Sequence, residues 1–371
     1  MKRFTALILI SAVNCFLLAD DCSAQKTSPK PGKEKDIAVM EPSDAAPTTY
    51  AARTLTMRFG MQFSSNDNNC TNIHATIPFP TDWPEQKVTF QQADISPGAF
   101  YEPRKLAGGT MQLVIKAPSV PAQNQFNAIV TVQVEKSFIQ APKDPSKLVI
   151  SKPIPKDAQP YMGAGPYIEP EYRLIKKVAK EIKDSQPTNA WEHVEKIYDW
   201  VRDNIEYRNG KIRSTTQAID DKYGDCEEMT GIFVAICRAS NIPARCVWVP
   251  EHCYPEFFLQ DENGVGHWFP CQVAGDRQFG EMKEYRPILQ KGDKFKVPEK
   301  KGQQRYVSEF FTCKQKPVGP KAPDVKTIRD LGGLEEEIEA LKTASPPSFS
   351  SGDGDDKGDD KGDNKTDGDK R

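Results

Sequence analysis

Between residues 51 and 150 apolar side chains recur at every second position. In LTMRFGMQF they are Leu55, Met57, Phe59, Met61 and Phe63; in FNAIVTVQV they are Phe126, Ala128, Val130, Val132 and Val134. A period of two turns one face of a strand to a core and the other to solvent. Met111, Leu113 and Ile115 add a third run, with Pro and Gly clusters between the runs. The pattern predicts an antiparallel, sandwich-like all-β domain over 51–150. Past Pro170 the period becomes helical. Ile175, Val178, Ala179 and Ile182 mark one amphipathic helix, and Trp191, Val194, Tyr198, Val201 and Ile205 a second.

The stretch YGDCEEMTGIFVAICRASNIPARC, residues 223–246, predicts a third helix. Asp225 and Glu228 stand three apart ahead of an apolar run, which is capping-box spacing and makes Cys226 the first helical residue. Met229, Ile232, Phe233 and Ile236 form its core stripe, Cys237 lies on the same buried side, and Asn241 with Pro243 ends it. Short runs follow, ARCVWV, CYPEFFL and HWFPCQV, that read as strands. Residues 165–315 are thus an α+β domain with helices before an antiparallel sheet, and 285–313 add strands that include RYVSEFF. Asn263-Gly264 signals a hairpin. A tight turn there pairs residues whose numbers sum to 527, and a looser loop gives 524. The second register is preferred because it sets Cys253 opposite Cys271 and His252 opposite Gln272 on opposite faces.

The ends of the 371-residue chain read differently. Lys2 and Arg3, an apolar run from Ala6 to Leu18 and the small residues before Gln25 predict a signal peptide, residues 1–24, cleaved after Ala24. That run is too short to span a bilayer comfortably, and no later one is long enough. Residues 25–50 are polar and proline-rich, a linker; 316–344 form a second linker with a short acidic helix at 333–343; and the Asp/Gly/Lys-rich tail 345–371 lacks the hydrophobics to fold. The expectation is a secreted or periplasmic protein with no integral membrane segment. Net charge is −2, of which the last 21 residues contribute −3. A body so balanced gives no electrostatic case for a nucleic-acid partner. Seven cysteines remain after the signal, an odd number, so at least one thiol is unpaired in a monomer.

Cys226 poses the chemical question. A helix N-terminus favours a thiolate, whereas Asp225, Glu227 and Glu228 oppose it. A cationic partner is needed, and the chain has four histidines. His74 lies in the β domain and His193 on the polar side of a helix, both read as surface residues; His252 and His267 open successive strands. Cysteines and histidines concentrate between 226 and 271, but the C-x-x-C pairing of zinc ribbons is absent, so neither metal nor cofactor is expected.

GDCEEMTGIFVAICRASNIPARCVWV followed by EHCYPEFFLQDENGVGHWFPCQ resembles the core of the transglutaminase-like superfamily, whose members share a papain-like fold. The resemblance covers about residues 170–275. It implies that Cys226 is a nucleophile, His252 its base, and Gln272 the residue at the place where the family usually has aspartate; papain-like enzymes work with an amide there. A glutamine fixes the imidazole tautomer without adding charge. Asp276, four residues on, is the other candidate, with a carboxylate to accept the imidazole N–H. On this reading Gln272 accepts Nδ1–H of His252 and leaves Nε2 for the sulfur. The implied chemistry is a thioester formed from a protein or peptide amide and resolved by water or an amine. The alternatives are a catalytically silent module binding a protein or cell-wall partner, and a disulfide-braced structural protein. Oligomeric state is not legible.

Overall fold

Alternation of apolar residues carries through into strands. The computed structural model describes residues 43–316 and 322–332, so the expected signal peptide, most of the first linker, the acidic helix at 333–343 and the tail lie outside the described residues. β1 (Thr48–Ser64), β2 (Asn69–Phe79), β3 (Gln86–Ile95), β4 (Phe100–Lys105), β5 (Met111–Val120) and β6 (Gln125–Gln140) make up the N-terminal β region. All five alternating residues of LTMRFGMQF, and all five of FNAIVTVQV, are buried. β1 and β6 pair over most of their length, for example Phe59 with Val130.

The helical region follows: α1 (Arg173–Asp184), α2 (Ala190–Asn204), β7 (Glu206–Tyr207), α3 (Thr215–Asp221), β8 (Tyr223–Gly224) and α4 (Cys226–Ala239). The predicted stripes of α1 and α2 are their buried faces. α4 is more than amphipathic, because every residue from Glu228 to Arg238 is buried. It packs on α1, α2 and α3 on one side and on strands on the other. Those strands are β9 (Ala244–Val249), β10 (His252–Gln260), β11 (Gly266–Gln272), β12 (Gln278–Phe279) and β13 (Gln290–Lys291), in the sheet order β12-β11-β10-β9-β13.

The chain then returns to the N-terminal region. β14 (Phe310–Lys316) pairs antiparallel with β2, and β15 (Asp324–Gly332) pairs antiparallel with β1. The expected linker at 316–344 therefore contains a nine-residue strand, and RYVSEFF leads into a strand of the N-terminal sheets rather than of the second domain. Two four-stranded sheets result, β15-β1-β6-β3 and β14-β2-β5-β4, whose inward side chains share one core containing Phe59, Met61, Ile77, Ile115 and Val130. The first linker also ends early: Ala45 is fully buried and β1 begins at Thr48. All described residues fall in one compact unit. Among them no helix is long and apolar enough to cross a membrane.

The hairpin register differs from both expectations. Glu256 faces Pro270 and Phe257 faces Phe269, a sum of 526. Asp261 sets it. Its Oδ1 accepts the N–H groups of Asn263 and Val265, both at 2.9 Å, and its backbone N–H donates to Val265 O at 2.9 Å. This builds a five-residue loop in place of an Asn-Gly two-residue turn.

Candidate active site

Three local structures bring the site together. The first is the start of α4. Asp225 is extended, its Oδ1 accepts from Glu227 N–H at 2.8 Å, and the Glu228 carboxylate accepts from Asp225 N–H at 3.0 Å, completing the predicted capping box. The other Glu228 oxygen accepts from Arg213 N–H at 2.9 Å. A Cβ at Gly224 would lie 2.5 Å from Glu228 Cβ, so only glycine lets the chain pass its own cap. Cys226 is thereby fixed as the first helical residue.

The second is the turn that delivers His252. β9 and β10 pair Val249 with His252 across Pro250 and Glu251, and Glu251 holds a φ of +60°. Arg286 Nη1 donates to Pro250 O at 3.0 Å, while Glu284 grips the guanidinium at 2.6 and 2.9 Å. Thr230 Oγ1 donates to Cys253 O at 3.2 Å and ties helix to strand. The backbone N–H of Cys253 donates to the Cys226 sulfur. Cys226 and His252 line one cleft of about 390 Å³, together with Tyr207, Trp248 and Tyr306. Arg329 of β15 reaches the same cleft and ion-pairs with Glu309.

The third is the end of β11. Gln272 Oε1 lies 3.0 Å from His252 Nε2. The two are not directly paired: continuing the 526 register makes them diagonal neighbours. A register change of two residues preserves the faces, and diagonal side chains this long still meet. The ring nitrogen is the reverse of that expected. Gln272 takes Nε2 rather than Nδ1. Asp276 is exposed in the turn after β11 and is not the partner of His252.

Gln272 is itself held. Tyr198 Oη donates to its backbone oxygen at 2.8 Å and Arg202 Nη1 does so at 3.0 Å, while Tyr198 Oη accepts from Gln278 N–H at 3.1 Å. Sequence reasoning placed Tyr198 only in a core stripe. Its hydroxyl inside an otherwise apolar stripe, with Arg202 one turn on, was the available signal.

The electrostatics leave the resting pair neutral. Burial first, then the carboxylates of Asp225, Glu227 and Glu228, push the Cys226 thiol up to about 11 from an ordinary 9.0, against the lowering effect of the Cys253 N–H. Burial, with Arg286 nearby, lowers His252 below its ordinary 6.5, and Glu284 and Gln272 oppose that only in part. Arg305, 5 % exposed behind the helix start, donates to Glu227 O at 2.5 Å and stands 3.4 Å from its carboxylate.

The remaining candidates lie elsewhere. His193 is 8 % exposed and not a surface residue. His267 Nε2 lies 2.8 Å from Asp261 and His74 Nε2 3.0 Å from Glu299. Cys253 and Cys271 are free and buried; on the 526 register they too are diagonal rather than opposite. The thiols that hydrogen-bond to one another are Cys246 with Cys253 and Cys70 with Cys313. Among the described residues no three His, Cys, Asp or Glu side chains are grouped so as to hold a metal ion.

No curated protein matches this chain. Among solved structures, one titled "Putative Cysteine Protease" from Cytophaga hutchinsonii aligns over 76% of this chain and 99% of its own, at 13% identity and a TM-score of 0.48. Another, titled "putative protease", from Parabacteroides distasonis, aligns over 62% of this chain and 48% of its own, at 13% identity and a TM-score of 0.25. A family model described as the transglutaminase-like superfamily matches residues 176–273, the span that runs from α1 through Cys226 and His252 to the residue after Gln272. Residues 176–273 are a transglutaminase-like domain.

Proposed function

We propose that this protein is an exported cysteine-dependent acyltransferase or amide hydrolase acting on protein or peptide amides. The observation that carries the reading is the 3.0 Å contact of Gln272 Oε1 with Nε2 of His252, a residue that lines the same cleft as Cys226 at its helix N-terminus. Gln272 fixes the ring so that Nδ1 is the basic nitrogen. As the sulfur attacks the amide carbon, Nδ1 takes the thiol proton and backbone N–H groups at the start of α4 face the developing oxyanion. The imidazolium then gives its proton to the departing amine, and a thioester remains. Water resolves it by hydrolysis, or an amine by transfer, with His252 again removing the proton.

A second reading has its own observation. A thiol at about 11 beside a histidine lowered from 6.5 is what a binding module that never ionises its cysteine would also carry. Turnover of glutamine-amide and peptide-amide substrates by wild type, C226A and H252A separates the two. The enzyme reading expects both variants to lose activity by about a hundredfold or more. Wild-type turnover no greater than that of C226A across these substrates, with the fold intact by circular dichroism, would leave the binding module as the account.

A further inference from the structure

At the C-terminal end of α4, some 20 Å along the helix from Cys226, lies a second cavity of about 380 Å³. Its lining includes Lys152, Lys176, Lys180, Lys183, His193 and Ser240. Lys176 is 2.9 Å from Glu171, and Lys180 is paired with Asp184. Lys152 and Lys183 have no carboxylate partner among the described residues. No acidic side chain lines the cavity, so its charge is uncompensated from inside.

Two residues of its lining each carry a polar atom without a partner. His193 Nε2 and Ser240 Oγ are buried without a hydrogen-bond partner, a state that folded proteins rarely leave unanswered. His193 is on α2, Ser240 at the end of α4, Lys183 on α1 and Lys152 on the segment before α1, so four separate parts of the chain converge there. Burial, with Lys183 and Lys196 close by, lowers the pKa of His193. Ile150, Ala179 and Ala239 give the cavity an apolar side as well.

We propose that this cavity binds a small phosphate-bearing anion, with Lys152 and Lys183 supplying charge and His193 Nε2 and Ser240 Oγ donating to its oxygens. One site would then account for the unpaired lysines, both orphaned polar atoms and the absence of lining carboxylates. The apolar side fits an organic phosphate better than the bare ion. The site is independent of the chemistry at Cys226.

The test is calorimetric titration of the full chain with inorganic phosphate and with glucose 6-phosphate, each against sodium chloride at matched ionic strength. Saturable binding is expected for both, tighter for the sugar phosphate, and at least tenfold weaker in K152A/K183A. K177A, which changes the charge of the same helix outside the cavity, should bind as wild type does. The His193 ring resonances should move on binding, with a raised midpoint on pH titration, since the anion faces it where only Lys183 and Lys196 did before. Equal affinity for the two ligands would assign the site to free phosphate. No binding beyond the chloride control, or the same weakening in K177A as in K152A/K183A, would overturn the proposal.

Discussion

Replacing Gln272 by glutamate tests the electrostatics of the candidate site more sharply than removing it. Glutamate is isosteric, whereas aspartate, the usual family residue, is shorter by one carbon and would open the 3.0 Å contact with His252. With the thiol at about 11 and the imidazole below 6.5, moving the proton from sulfur to nitrogen costs upward of about 6 kcal/mol before their attraction is counted. Charges brought to about 4 Å of each other return about 4 kcal/mol at an effective dielectric of 20; at that separation the ion pair is uphill by about 2 kcal/mol and populated on the order of a few per cent. A carboxylate against Nε2 raises the imidazole pKa by about one to three pH units, or about 1.4 to 4 kcal/mol. It sits in hydrogen-bond contact with the imidazolium and in none with the sulfur, so attraction outweighs repulsion. In Q272E the ion pair should therefore approach or pass half population. The assay is the rate of Cys226 alkylation by iodoacetamide from pH 5 to 10, followed by peptide mass. Wild type should react slowly at pH 7 and faster with rising pH, and Q272E should be at least about fivefold faster at pH 7. A wild-type rate already on a plateau below pH 7, or a folded Q272E within twofold of wild type, would refute the neutral resting pair.

Other expectations follow from buried groups. Arg238 and Asp293 form a fully buried bidentate pair at 2.5 and 2.9 Å; D293A strands the guanidinium and should lower unfolding free energy by about 3–5 kcal/mol in urea, and R238M/D293L should recover much of it. Y198F removes a hydroxyl that bridges Gln272 O and Gln278 N–H, so stability should fall by about 1–2 kcal/mol and kcat should drop with KM little changed. His193 and His252 both have pKa values lowered by burial, so the unfolded chain takes up protons first as pH falls; their contribution is whole above about 6.5 and lost below it, and the urea midpoint should drop between pH 7.5 and 5.5, less so in H193Q. Mild oxidation should bridge Cys70 to Cys313, since those thiols touch and Cys313 is partly exposed, and should leave Cys253 and Cys271 unlinked in a non-reducing peptide map.

What the sequence determined by itself is local in the chain. The start of α4 rests on a contact three residues long, Asp225 with Glu228, and its end on Asn241, which adopts a φ of +61°. Both can be read from neighbours because capping competes only with water and nearby backbone. The alternation in β1 and β6 was legible for a related reason: a period of two survives whatever the strand pairs with. Tertiary structure decided the rest. Nothing in DVKTIRDLG states that it must cross to β1, because an edge strand is specified by the partner's unpaired backbone some 270 residues away. The β10–β11 register turned on whether the Asp261 side chain or the Asn263-Gly264 pair would shape the loop, a competition between hydrogen bonds of similar strength. The meeting of His252 and Gln272 survived that error only because a slip of two residues keeps every side chain on its face. Which ring nitrogen Gln272 takes, and how far burial drives the thiol and imidazole away from their charged forms, depended on tertiary packing. A charge is priced by its whole surroundings, and no window of sequence contains them.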